Sequence, residues 1–169
     1  MTRQDQIYKW FIYTLGLLPI WILDAFLLGR YSPFGGKPLL LLLTVVTVAV
    51  FEGSTAGAGF GLAVGTVWAL GYSGSSWIIL FLVLSGMLVG IAAQYALTQG
   101  FIGCLLSSAG ILTLLEGLHI LWGLFSQMAP FSVLIEVAVR ESLLTLLWTP
   151  LVYLIFRAVF RRVGLDKLA

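Results

Sequence analysis

The chain has 169 residues, of which 60% are hydrophobic and only 9% charged, and its mean hydropathy is +1.07. A water-soluble domain carries about 25% charged residues, so this composition excludes an ordinary soluble globule. The formal net charge of +2 is too small to argue for nucleic acid, and the basic residues gather toward the ends, as a membrane surface would favour. Three stretches hold no Asp, Glu, Lys or Arg: Gly53 to Leu115, Gly117 to Ile135 and Ser142 to Phe156. A helix needs about 20 mainly apolar residues to cross a bilayer, and the first stretch alone has room for two or three crossings.

In chain order, Arg3 and Lys9 precede an apolar run from Trp10. It is longer than a leader core and is followed by no clear small-residue cleavage site, so it reads as an uncleaved first helix from about Tyr8 to Leu28, carrying Pro19 and Asp24. Arg30 to Lys37, with Pro33, Gly35 and Gly36, reads as a loop. A short second helix follows from Pro38 and Leu39 to about Phe51, and a third continues to about Leu70. One continuous helix would put Glu52 near its middle, so a break or tight re-entry is expected between Glu52 and Thr55. Gly71 to Ser76 forms the next loop. Helix four is expected from Trp77 to Leu97, a turn at Gln99 and Gly100, helix five from Phe101 to Phe125, and a loop from Gln127 to Phe131. Helix six is expected from Ser132 to Phe160, bent at Pro150.

The expected fold is therefore an all-α polytopic membrane bundle, one domain over residues 1–169, with six transmembrane helices. Six crossings bring both termini to one side. Arg157, Arg161, Arg162 and Lys167 near the C-terminus place that side in the cytoplasm, and Arg3 and Lys9 agree. Arg30 and Lys37 would then lie outside, a mild conflict with the rule. Trp10, Trp77, Trp122 and Trp148 fall near helix ends, where indoles anchor at the interface. Cys104 lies in an apolar run, has no second cysteine to pair with, and reads as a small core residue. No GxxxxGK[ST] sequence occurs, and no nucleophile and base stand in a recognisable pairing.

Gly53, Gly57, Gly61 and Gly65 are spaced by four, with Ala49 before and Ala69 after. Such positions share one helix face and let another helix approach closely, which is how helices associate in lipid. The face suits packing inside its own bundle, as Gly86 and Gly90 do on helix four, and it equally suits a partner's transmembrane helix. These four glycines, with Glu52 beside them, are the candidate partner-binding residues. A carboxylate at membrane depth needs a reason. Glu52 reads either as the first residue of helix three, facing its positive dipole end, or as one half of a pair or ligand contact. Glu116 and His119 share a face of helix five. Glu-x-x-His can serve a metal, but bundle sites use two such motifs and more carboxylates, and this is the chain's single histidine. A polar pair within the bundle or at the interface is expected, with no metal and no cofactor. Glu136 and Arg140, four apart with the acid first, read as a surface pair that also offers itself to an outside partner together with Glu141.

The short second segment leading into Phe51-Glu52-Gly53, Gly57, Gly61-Leu62 and Gly65, with Pro150 in the final helix and Arg161-Arg162 after it, resembles the rod shape-determining protein MreD family. The motif match covers residues 50 to 70, and the architecture most of the chain. The resemblance implies a non-enzymatic scaffold in the cell membrane. Its implied partner is an MreC-like single-pass protein, and through it the wall-synthesising transglycosylase and transpeptidase and cytoplasmic MreB. Membrane lipids surround it, and nucleic acid is not a partner. The family's fold is similar to that of the substrate-binding subunits of energy-coupling-factor vitamin transporters. Those supply the alternative: an outer pocket for a vitamin, with Arg30, Gln127, Glu136, Arg140 and Glu141 as the polar residues available to line it.

Overall fold

The structure, a computed structural model, describes residues 3–28, 37–71, 77–95, 100–126 and 130–165. The expectations placed on Arg30 and the Pro33–Gly36 loop, on Tyr72 to Ser76, and on Gln99, Gln127 and Lys167 lie outside these residues. Among the described residues there are six α-helices and no strand. α1 spans Arg3–Ile22 and continues as a π-helical stretch, Leu23–Leu28. α2 spans Leu40–Glu52, α3 Ser54–Gly71, α4 Trp77–Tyr95, α5 Phe101–Phe125 and α6 Phe131–Leu165. The stretches Ile7–Phe26, Trp77–Tyr95, Phe101–Phe125 and Phe131–Arg162 are long and apolar enough to cross a membrane, whereas α2 and α3 are shorter apolar helices.

The break expected between Glu52 and Thr55 is a single residue. Gly53 has φ 90° and ψ −173°, a conformation open essentially to glycine alone. Its N–H still donates to the Ala49 carbonyl at 3.0 Å, closing α2, and its carbonyl accepts from the Gly57 N–H at 2.9 Å, opening α3. Both backbone groups of Gly53 are thus paired through the reversal, as an apolar surrounding favours. α3 folds back so closely that a Cβ built on Gly57 would lie 2.6 Å from the Ala49 Cβ.

α2 is the core of the bundle. Every residue from Leu40 to Val50 is buried, covered by α3 and α4 on one side and by α6, α5 and α1 on the others. This explains why its sequence is apolar on every face rather than on one stripe. Its two threonines return their hydroxyls to their own helix: Thr44 Oγ1 donates to Leu41 O and Thr47 Oγ1 to Leu43 O, both at 2.7 Å. Cys104 is fully buried on α5, its Sγ 3.4 Å from Thr47 Oγ1.

α3 and α4 run antiparallel along the longest helix contact of the molecule. Gly57 meets Gly86, Gly61 meets the Leu82 carbonyl, Gly65 meets Ile79, and Gly90 meets Ser54. A Cβ on Gly57 would come 2.6 Å from the Gly86 carbonyl oxygen, and one on Gly65 would come 2.9 Å from the Ile79 Cα. The ladder is a seam within the chain. α4 occupies the face that the sequence left open to a partner's helix, because Gly86 and Gly90 supply the matching small residues.

The bundle has two ends. At the Gly53 end stand Lys9, the α2–α3 reversal, Gln94 of α4, Phe101 of α5 and Tyr153 to Phe160 of α6. Phe51 stacks on Phe160 with centroids 5.1 Å apart and lies 5.4 Å from Tyr153, whose ring also meets Phe101 at 5.3 Å. At the Trp77 end lie Lys37, the start of α4, the last turns of α5 and the start of α6. There the N–H groups that precede α2 are taken up by α6: Leu39 N–H donates to Thr145 Oγ1 at 3.0 Å and Lys37 N–H to Glu141 Oε1 at 3.4 Å. Pro150 lies inside α6 without ending it.

Candidate functional site

The polar residues singled out by sequence separate onto the two ends. At the Gly53 end, Glu52 is the last residue of α2, not the first of α3, so it sits at the negative end of its own helix dipole. Its charge is met from α1. Lys9 Nζ pairs with Glu52 Oε2, and Tyr13 O–H donates to Oε1 at 2.9 Å. The Lys9 and Glu52 side chains are 14% and 13% exposed, so the pair is largely withdrawn from water. The Tyr13 ring is held by Phe156, stacked at 6.1 Å, and by Phe60, edge-on at 6.3 Å. The Gln94 amide covers Gly53 and would collide with a Cβ there. This cluster fastens the reversal to α1, α4 and α6. Lys9 was legible only as an N-terminal charge, because its partner is 43 positions away.

At the Trp77 end, Glu116 and His119 face each other on α5, with Nδ1 to Oε2 3.7 Å. That is an ion-pair distance and too long for a hydrogen bond. His119 is 49% exposed, whereas Glu116 is only 9% exposed. The second Glu116 oxygen, Oε1, is buried without a hydrogen-bond partner. Glu141 of α6 lies within electrostatic reach of both. The Trp77 ring stands edge-on to the His119 ring at 5.8 Å. Trp77, Leu118, His119 and Trp122 line a cavity of about 540 Å³, the size of a small-molecule site. Sequence reasoning paired Glu116 with His119 but not with Trp77 or Glu141, since those contacts depend on how α4 and α6 cross α5.

Glu136 and Arg140 form an ion pair one turn apart on α6, with both side chains more than half exposed. Among the described residues no three His, Cys, Asp or Glu side chains gather as a metal site would require.

These features define an all-helical bundle with four helices long and apolar enough to cross a membrane, a tightened reversal at one end and a mainly apolar, aromatic-walled cavity at the other. No protein-family model matches the chain, and no curated protein and no solved structure matches it.

Proposed function

We propose that the chain is a multi-pass cell-membrane protein with six transmembrane helices and both termini in the cytoplasm, acting as a non-enzymatic scaffold of the MreD type in the bacterial cell-elongation machinery. The observation that carries the reading is the coherence of residues 51–65. The residues of the family-like motif form one folded unit: Phe51 stacks on α6, Glu52 pairs with α1, Gly53 makes the reversal, and Gly57, Gly61 and Gly65 seat α4. A motif of this kind specifies a helix arrangement rather than a reaction. The cytoplasmic orientation is supported by Lys9, Arg157, Arg161 and Arg162, which all belong to the Gly53 end.

In this reading a single-pass, MreC-like protein docks on the lipid-facing exterior, because α4 fills the glycine face. The test is co-expression of the tagged chain with an MreC-type protein from the same cell, followed by detergent pull-down. Stoichiometric retention is expected, together with loss of rod shape when the chain is depleted. Absence of retention with unchanged cell shape sinks the proposal.

The cavity at the Trp77 end favours a second reading, the binding subunit of a vitamin transporter. Saturable heat on titrating a common B vitamin into the purified chain would support it, and flat titrations across the series would remove it.

A further inference from the structure

The cavity at the Trp77 end is walled by two indoles, a leucine and an imidazole: Trp77 at the start of α4, and Leu118, His119 and Trp122 on one face of α5. Trp122 is 73% exposed and Trp77 41%, so their ring surfaces are not used up in helix packing. Among the described residues no carboxylate, ammonium or guanidinium lines the space. Its hydrogen-bonding side chains are of one kind. An indole N–H can only donate. The His119 Nδ1 is turned to Glu116 Oε2 at 3.7 Å, and Glu116, 9% exposed, stands behind the ring and outside the cavity. The half-exposed part of the imidazole is therefore its far side, which carries Nε2. An imidazolium paired through one nitrogen remains a donor at the other. The Trp77 ring, edge-on to the imidazole at 5.8 Å, helps to hold its plane. The cavity thus pairs flat apolar walls with donors and calls for a ligand that brings the acceptor.

We propose that this cavity binds a flat, neutral ring compound bearing a carbonyl group, of the quinone class, its oxygen accepting from His119 Nε2 and its ring held against Trp77 and Trp122. Aromatic walls favour a planar ring, stacked or edge-on. Charge is disfavoured in either sign. A cation meets no carboxylate in the lining, and Glu116 and Glu141, both within electrostatic reach of His119, offset the charge that an anion would seek. The inference rests on the cavity alone and holds whether the chain serves as a scaffold or as a transporter subunit. Flat titrations with B vitamins would leave it standing, because the ligand it names is neutral and largely apolar.

The test is calorimetric titration of the full chain in neutral detergent with 1,4-naphthoquinone, corrected for the same injections into detergent alone. Naphthalene, the same ring system without carbonyl groups, serves as contrast. Saturable binding of the quinone is expected, about fivefold tighter than naphthalene, as one added hydrogen bond provides. His119→Phe keeps a flat ring but removes the donor. It should bring the two affinities together while naphthalene stays bound. Trp122→Ala should weaken both ligands by about fivefold and keep their ratio. No saturable heat, or equal binding of quinone and naphthalene, overturns the proposal. So does a preference for the quinone that survives in His119→Phe. Should that variant fail to fold, exposed Trp122 decides: unchanged quinone affinity in Trp122→Ala overturns the proposal equally.

Discussion

Lys9, Tyr13 and Glu52 show how a charge becomes tolerable at the rim of an apolar bundle. Removing one member of a withdrawn ion pair leaves the other uncompensated, whereas removing both relieves the cost. Glu52→Ala should therefore lower stability by about 3 kcal/mol, and Lys9→Met combined with Glu52→Leu should cost less than either single change. A double-mutant cycle of thermal unfolding in detergent checks this, and strict additivity would contradict the coupling. At Gly53 the argument is conformational. Any side chain there must accept φ 90° and displace Gln94, so Gly53→Ala should cost about 1–3 kcal/mol. Gln94→Ala in the same background should recover only the steric share. That separates backbone strain from collision.

At the scale of the elements, the α3–α4 seam can be probed by neighbouring glycines that differ in what lies beyond them. Gly61 abuts the Leu82 backbone, while Gly59 has nothing within 4 Å. Overpacking a tight contact costs about 1–3 kcal/mol. Gly61→Ala should lower the unfolding midpoint clearly. Gly59→Ala should leave it unchanged or raise it, since alanine favours the helix. Equal effects in the two variants would show that α4 is not seated on this face. The contrast also shows what sequence could and could not tell. The spacing of Gly53, Gly57, Gly61 and Gly65 announces a close helix contact, but a face without side chains fits a helix of its own chain as well as a partner's. Gly86 and Gly90, the matching half, carry the missing information, and their register against α3 is fixed only by the reversal. Helix positions were more legible. α5 matches Phe101 to Phe125 at both ends, and α4 starts at Trp77 as read. α1 starts five residues earlier than expected, at Arg3, and α6 runs five past Phe160. Polar residues continue both helices beyond the apolar stretch, where hydropathy gives no signal. Of the two readings of Glu52, the pair holds and the start of helix three does not, because a single-residue turn leaves no polar loop to mark which helix owns the carboxylate.

For the whole molecule, the two ends give the proposed orientation a direct check. Cys104 is fully buried, so the native chain offers little background to a membrane-impermeant maleimide. Ser126→Cys at the Trp77 end should label from outside intact cells, and Arg161→Cys at the Gly53 end only after permeabilisation. The reverse pattern would invert the bundle. α6 has 35 residues, about 52 Å of helix, well beyond a hydrocarbon core of about 30 Å. A crossing by this helix would require it to tilt or to project, and a projecting first part would carry the exposed Glu136–Arg140 pair.

The burial of α2 sets a timetable for biogenesis. A 13-residue helix, about 20 Å long, is too short to be held stably across a bilayer by itself. The helices that enclose it include α6, which is synthesised after α1 to α5. While the ribosome is still making α5, α2 and the reversal at Gly53 lack the wall that Phe156 and Phe160 provide. Insertion of the early helices and closure of the core are therefore expected to be separate events, the second waiting for α6, in the final quarter of the chain. A nascent chain stalled before α6 would leave open the side of α2 that α6 covers in the finished bundle.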